Sequence, residues 1–126
     1  MAKLIIMFNE KVIREVHVGN EPVKVGRDPS NQIKLDNPAV SRFHAEIYRQ
    51  GYPFFVEDKN STNGVFVNDL KVSWKQGIKE GDRITVGKHT LLFRADPTDY
   101  GEGKNVSLAD IDGTIALDSS KAGKKR

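Results

Sequence analysis

The sequence predicts an all-β fold, a sandwich or barrel of short strands, on three observations. Apolar and polar residues alternate in short runs, turn-forming residues recur between those runs, and no stretch before residue 95 carries a convincing helical period. The length of 126 residues fits about one domain with a modest core. Residues 1–95 are the expected sandwich, and residues 96–126 the expected flexible tail or linker.

In chain order, Leu4 to Phe8 and Val12 to Val18 read as a hairpin closed by Asn9-Glu10. Pro22 to Val25 alternates and runs into Gly26, where the missing Cβ permits a close backbone approach. Arg27 then stands on a loop at a strand end, followed by the turn Asp28-Pro29-Ser30-Asn31. A brief strand at Gln32 to Leu35 precedes the loop Asp36 to Ser41. Phe43 to Tyr48 sets Phe, Ala and Ile against His, Glu and Tyr, and Tyr52 to Val56 resumes the pattern as its antiparallel neighbour. Glu57 to Asn63 is a polar loop, Val65 to Val67 a strand, Asn68-Asp69 a turn and Lys71-Val72 a brief strand. Gly77 to Asp82 is expected to be another tight turn, before a closing hairpin of Arg83 to Val86 and Thr90 to Ala95.

Composition narrows the function classes. The chain has no cysteine, which removes disulfides, thiolate catalysis and Cys-based zinc. With no signal sequence expected, this favours a reducing, cytoplasmic setting. No apolar run approaches the roughly 20 residues that span a bilayer. The net charge of +3 is mild and suits an anionic partner without demanding one. After Asp96 the composition shifts to acids with Pro, Thr and Gly, and the last six residues, KAGKKR, are basic, as in an interaction tail. Asn105 to Ile111 could form one short helical turn.

No catalytic constellation is legible. His17, His44 and His89 lie apart without metal-ligand spacing, and no cofactor or metal is expected. His44 reads as a loop prop at an outward-alternating position, bonding backbone carbonyls. Ser41 and His44 would point to opposite faces of an extended chain, which argues against a nucleophile and its base. Gly26-Arg27 lacks the Lys-Ser/Thr of a P-loop, and no GxGxxG opens a helix.

Three loop clusters share another chemistry. Arg27 offers a rigid guanidinium fork, Ser41 and Thr62 hydroxyl donors, Arg42 a second cation, and Asn63 an amide that donates and accepts. Together they describe a site for an anion carried on a peptide. Gly26-Arg27, Ser41-Arg42-Phe43-His44, Asn60-Ser61-Thr62-Asn63-Gly64 with Val65 to Asn68, and Gly81 to Ile84 with Gly87 resemble a forkhead-associated (FHA) domain. The match is ordered and spreads over most of residues 1–95.

The resemblance implies a two-sheet β-sandwich of about eleven mostly antiparallel strands, whose apical loops bind a phosphothreonine peptide. It implies that Arg27, Ser41, Arg42 and Thr62 hold the phosphate and Asn63 the peptide main chain, with Gly26, His44 and Gly64 shaping the loops. Position nominates Ala39, Val40 and the Asn60-Ser61 edge for selecting the side chain three places after the phosphothreonine. The implied partners are phosphothreonine proteins and the Ser/Thr kinases that make them. Micromolar affinity, about 8 kcal/mol, is the expected scale after a flexible peptide is immobilised. In the tail, Thr114 and Thr98 stand beside acids as candidate phospho-acceptors, so a phosphorylated tail could bind the sandwich in cis or drive self-association. The competing class is a phosphate-independent docking or nucleic-acid-binding sandwich. Scattered Lys and Arg without interleaved aromatics make nucleic acid the poorer fit.

Overall fold

The computed structural model describes residues 1–100, and its first compact unit is Met1–Asp96. That unit contains β1 (Lys3–Phe8), β2 (Lys11–His17), β3 (Val23–Gly26), β4 (Ile33–Lys34), β5 (Ala45–Arg49) and β6 (Phe54–Asp58). It continues with β7 (Val65–Val67), β8 (Leu70–Lys71), β9 (Lys75–Ile78), β10 (Arg83–Val86) and β11 (His89–Arg94). A six-stranded sheet runs β2-β1-β11-β10-β7-β8, and a five-stranded sheet runs β4-β3-β5-β6-β9. All pairings are antiparallel except β3 with β4. The two-sheet sandwich follows the sequence expectation, and β1 pairing with β11 brings the two ends of the domain together.

Alternation builds the core. Leu4 and Ile6 on β1, Ile84 and Val86 on β10, and Leu91 and Phe93 on β11 bury one face of the first sheet. Val25, Ala45, Ile47, Phe54 and Val56 bury the facing side of the second. Phe54 and Phe93 meet between the sheets with ring centroids 5.1 Å apart. Two turns close where the sequence placed them. Asn9 and Glu10, and likewise Asn68 and Asp69, all take positive φ, the geometry of tight two-residue hairpins. Buried Asp82 accepts the Lys79 backbone N–H at 2.9 Å and the Asn68 amide at 3.0 Å, so Gly81-Asp82 serves the frame.

Three local expectations are corrected. Gly77 and Ile78 belong to β9 rather than to a turn, because β6 offers a free edge that Lys75–Ile78 pairs with. Gly77 sits opposite Phe55, whose ring would lie 3.9 Å from a Cβ there, so a neighbouring aromatic covers the bare position. Phe43 is 50% exposed, because β5 begins only at Ala45 and Phe43 still belongs to the loop. His44 points inward and is fully buried, not outward. Thr98 lies in a 3-10 helix, Pro97–Tyr100. Thr114 and the turn expected over Asn105 to Ile111 lie outside the described residues.

His89 provides a test of core packing. Its ring lies 4.9 Å from that of Phe8, and its Nδ1 has no hydrogen-bond partner among the described residues. Burial lowers its pKa from 6.5. The unfolded chain therefore takes up this proton more readily, so the stability His89 allows is present above about pH 6.5 and lost as pH falls towards the folded value. In urea titrations from about pH 7 to about pH 5, wild type should lose more stability than His89→Leu. Parallel losses would contradict this.

Candidate functional site

The site begins where β3 ends. A Cβ on Gly26 would lie 2.1 Å from the Arg42 carbonyl oxygen, so only glycine lets the β4–β5 loop pass this close. The approach is fastened by backbone bonds, the Arg27 N–H to the Ser41 carbonyl at 3.0 Å and the Asp28 N–H to the Arg42 carbonyl at 3.1 Å. The Asn31 amide adds two more, to the Asp28 carbonyl at 2.8 Å and the Arg42 carbonyl at 2.9 Å. The first two loops thus form one unit.

His44 ties that unit to the third loop. Its Nδ1 accepts the Ser41 backbone N–H at 2.9 Å, and Nε2 lies 2.8 Å from the Gly64 carbonyl oxygen. Because Nδ1 accepts, the proton sits on Nε2, which donates to Gly64. The chain from Ser41 to His44 is therefore bent, not extended as the sequence argument assumed. The conclusion against a nucleophile and base stands, because both imidazole nitrogens are engaged with backbone. Gly64 holds φ at +87°, which a side chain would strain, and donates its N–H to Ser61 Oγ at 3.0 Å.

These ties carry the predicted residues to one place. Arg27, Ser41, Arg42, Thr62 and Asn63 line a single cleft of about 360 Å³ together with Pro38, Ala39 and Val40. Asn60 and Ser61, nominated with Ala39 and Val40, line a different opening. The Arg27 Nε–H is fixed on the Val40 carbonyl at 2.9 Å, which orients the guanidinium and leaves its terminal N–H groups to meet a ligand. Ser41 Oγ accepts the Thr62 N–H at 2.9 Å, so its own hydroxyl hydrogen can be donated to an anion. Asn63 donates one amide hydrogen to the Ala39 carbonyl at 2.8 Å and keeps its Oδ1 and second N–H.

Arg42 is the loosest of the set. It stacks on Phe43 at 5.7 Å and pairs with Asp28 at 3.3 Å. The Asp28 carboxylate is held below its usual pKa, first by the Ser30 hydroxyl, then by the Ser30 N–H and by Arg42. It stays ionised at neutral pH and holds Arg42 in this exposed ion pair. Sequence reasoning missed this carboxylate and the ties made by Asn31 and the Ala39 and Val40 carbonyls. Asp28 and Asn31 read only as turn residues, and backbone acceptors leave no trace in residue type. Among the described residues, no group of three or more His, Cys, Asp or Glu could hold a metal ion.

The close approach at Gly26 yields a test. In Gly26→Ala the new methyl must displace the Arg42 carbonyl, at a cost of about 1–3 kcal/mol or more by urea denaturation. Wild-type stability in that variant would refute the close-approach reading.

A family model for the FHA domain matches residues 23–87. The glycogen accumulation regulator GarA of Mycolicibacterium smegmatis is 39% identical over 80 residues, covering 64% of this chain and 50% of GarA. The chain spans about half the length of the curated relatives it matches. A structure determined for phosphothreonine-dependent FHA domain interactions superposes with a TM-score of 0.68 at 28% identity, covering 77% of this chain and 99% of that one. Mycobacterium tuberculosis EmbR, in complex with a low-affinity phosphopeptide, superposes with a TM-score of 0.67 at 29% identity, covering 74% of this chain and 24% of EmbR. No helix among the described residues is long and apolar enough to cross a membrane. By family model, relatives and fold alike, the chain belongs to the FHA domain family.

Proposed function

We propose that the sandwich, residues 1–95, is a phosphothreonine-dependent peptide-binding module acting in cytoplasmic Ser/Thr-kinase signalling. The observation that carries this is the convergence of Arg27, Ser41, Arg42, Thr62 and Asn63, from three separate loops, on one cleft. Arg27 and Ser41 are the fixed donors to the phosphate, since each is already oriented by a bond to the neighbouring loops. Thr62 supplies a hydroxyl, and Arg42 adds charge once it exchanges Asp28 for the phosphate. Asn63 uses its remaining amide groups on the peptide main chain.

Charge-assisted bonds of this kind contribute about 1.5–3 kcal/mol each before the costs of ordering the peptide. The phosphate therefore acts as an on/off switch. Burying the threonine γ-methyl adds only about 0.8 kcal/mol, so strong preference for threonine over serine also needs the rotamer restriction of a β-branched residue. The partners are phosphothreonine proteins and the kinases that make them. A phosphorylated Thr114 or Thr98 in the chain's own tail is a further ligand, bound in cis or between two copies. Thr98 would first have to leave the Pro97–Tyr100 helix to bind in extended form.

Titration calorimetry with paired threonine and phosphothreonine peptides tests the reading. The phosphopeptide should bind at least about 100-fold more tightly than its unphosphorylated twin, the equivalent of two lost charge-assisted bonds. Arg27→Ala should remove at least about tenfold of that affinity. Affinity should also fall as pH drops through about 6, where the phosphate dianion takes up a proton and loses charge. Equal binding of both peptides, or binding that survives Arg27→Ala, would point to the phosphate-independent alternative.

A further inference from the structure

The strand registers fix which side chains share the outer face of the six-stranded sheet. Met7 pairs with Val12 on one side and Thr90 on the other, Thr90 pairs with Thr85, and Thr85 with Phe66. Paired residues project from the same side of a sheet, so these five form one uncharged row. Two residues along the strands, the next row is Glu15, Ile5, Leu92 and Arg83. The residues that alternate with them, Leu4, Ile6, Ile84, Leu91 and Phe93, are buried in the core, so both rows face outward.

This face is apolar without being buried. Val12 is 59% exposed and Ile13, at the β2 bulge, 57%, while Ile5, Met7, Leu92 and Phe66 are half-buried. An uncharged patch of this kind, rimmed by charge, marks an interaction surface. The outer face of the five-stranded sheet is built differently. It carries a charged row, Lys24, Glu46, Glu57 and Lys75, and Glu57 already accepts the Tyr48 hydroxyl at 2.9 Å and the Lys59 ammonium at 3.1 Å. That network closes within the chain.

The charges on the first face select its occupant. Glu15 and Arg83 stand at opposite ends of one row, with Ile5 and Leu92 between them. Glu15 is 51% exposed and pairs with Lys3 at 3.2 Å, and among the described residues the Arg83 side chain has no hydrogen-bond or ion-pair partner. A row that is acidic at one end, apolar in the middle and basic at the other is complementary to its own reverse. A two-fold axis parallel to the strands, between β1 and β11, generates that reverse. It lays two sheets face to face, with Ile5 against the partner's Leu92 and Glu15 against the partner's Arg83, each contact made twice. In the uncharged row, Met7 meets the partner's Thr90 and Val12 the partner's Thr85. An axis across the strands would instead set the uncharged row against a cationic one, His17, Lys3 and Arg94. With the axis along the strands, that third row stays at the solvated rim, where Lys3 is paired with Glu15 and Arg94 with Glu80 at 2.7 Å.

We infer that this face joins two copies of the chain in a symmetric dimer that needs no phosphate. The packed rows cross only four strands, an area at the low end of specific interfaces, so association is weak and depends on concentration. Because the axis runs along the strands, both copies point their loop ends the same way. The uncharged row lies towards that end, since a Cβ on Gly87, in the turn after β10, would stand 2.8 Å from Val40 of the cleft. Two clefts therefore open side by side, and a ligand carrying two phosphothreonines gains by holding both. That consequence rests on the phosphopeptide reading above, whereas the dimer does not.

Sedimentation equilibrium on the full chain, treated with phosphatase, tests the dimer. Apparent mass should rise from one chain towards two between about 10 µM and about 1 mM. Leu92→Lys should hold the mass at one chain over that range. Glu15→Arg and Arg83→Glu should each weaken association about fivefold or more, and combining them should restore it, because the facing charges are then exchanged rather than lost. The charge-exchange series decides even where Leu92→Lys proves unstable. A single-chain mass throughout for wild type overturns the dimer, and dimerisation that neither charge reversal weakens, or that the combined variant does not restore, overturns this face. Either result leaves the phosphate cleft standing.

Discussion

The binding end of this domain depends on one buried imidazole. His44 has no exposed surface, and its two nitrogens join the Ser41 N–H of one loop to the Gly64 carbonyl of another. Both groups are backbone, and both would be unpaired in the interior without it, at about 1–3 kcal/mol each. The bridge fixes the spacing between Ser41 and the Thr62-Asn63 pair. The close passage of Arg42 over Gly26 performs the same service for Arg27. Loops that would otherwise be surface connections become a rigid extension of the two sheets.

That rigidity explains how an exposed site on a small domain can be selective. On the reading proposed above, the groups that meet a ligand make few contacts of their own, and each is oriented by a bond that the ligand does not use. Arg27 is held through Nε, Ser41 through its acceptor lone pair, and Asn63 through one amide hydrogen. What remains on each is the donor or acceptor a phosphopeptide requires, so little ordering is left to pay for on binding. Arg42 is the exception. Its exposed pairing with Asp28 is worth little in itself, and on the proposed reading its exchange for a phosphate adds a contact that the rest of the site does not depend on.

Much of this architecture was legible in the residues. Alternation located the strands, and Asn9 and the Asn68-Asp69 pair, residue types that tolerate positive φ, announced two of the turns. Donor chemistry singled out Arg27, Ser41, Arg42, Thr62 and Asn63 before any geometry was known. What escaped depends on contacts distant in the chain. Gly77 looked like a turn residue because glycine usually marks one, and only the edge of β6 and the ring of Phe55 make it a strand residue. Alternation placed Phe43 inside and His44 outside, since the pattern assumes that β5 starts two residues early. Asn31 and the carbonyls of Ala39 and Val40 act through the backbone, which side-chain identity does not reveal.

The central claim is that His44 organises a site it does not touch. It is tested most directly by measuring phosphothreonine-peptide affinity in His44→Ala while amide chemical shifts report on the sandwich. Shifts in β1, β10 and β11 should stay near wild type, those of Ser41, Thr62 and Gly64 should move, and affinity should fall about tenfold or more. Wild-type affinity in a variant whose Ser41 and Gly64 signals have moved would contradict it.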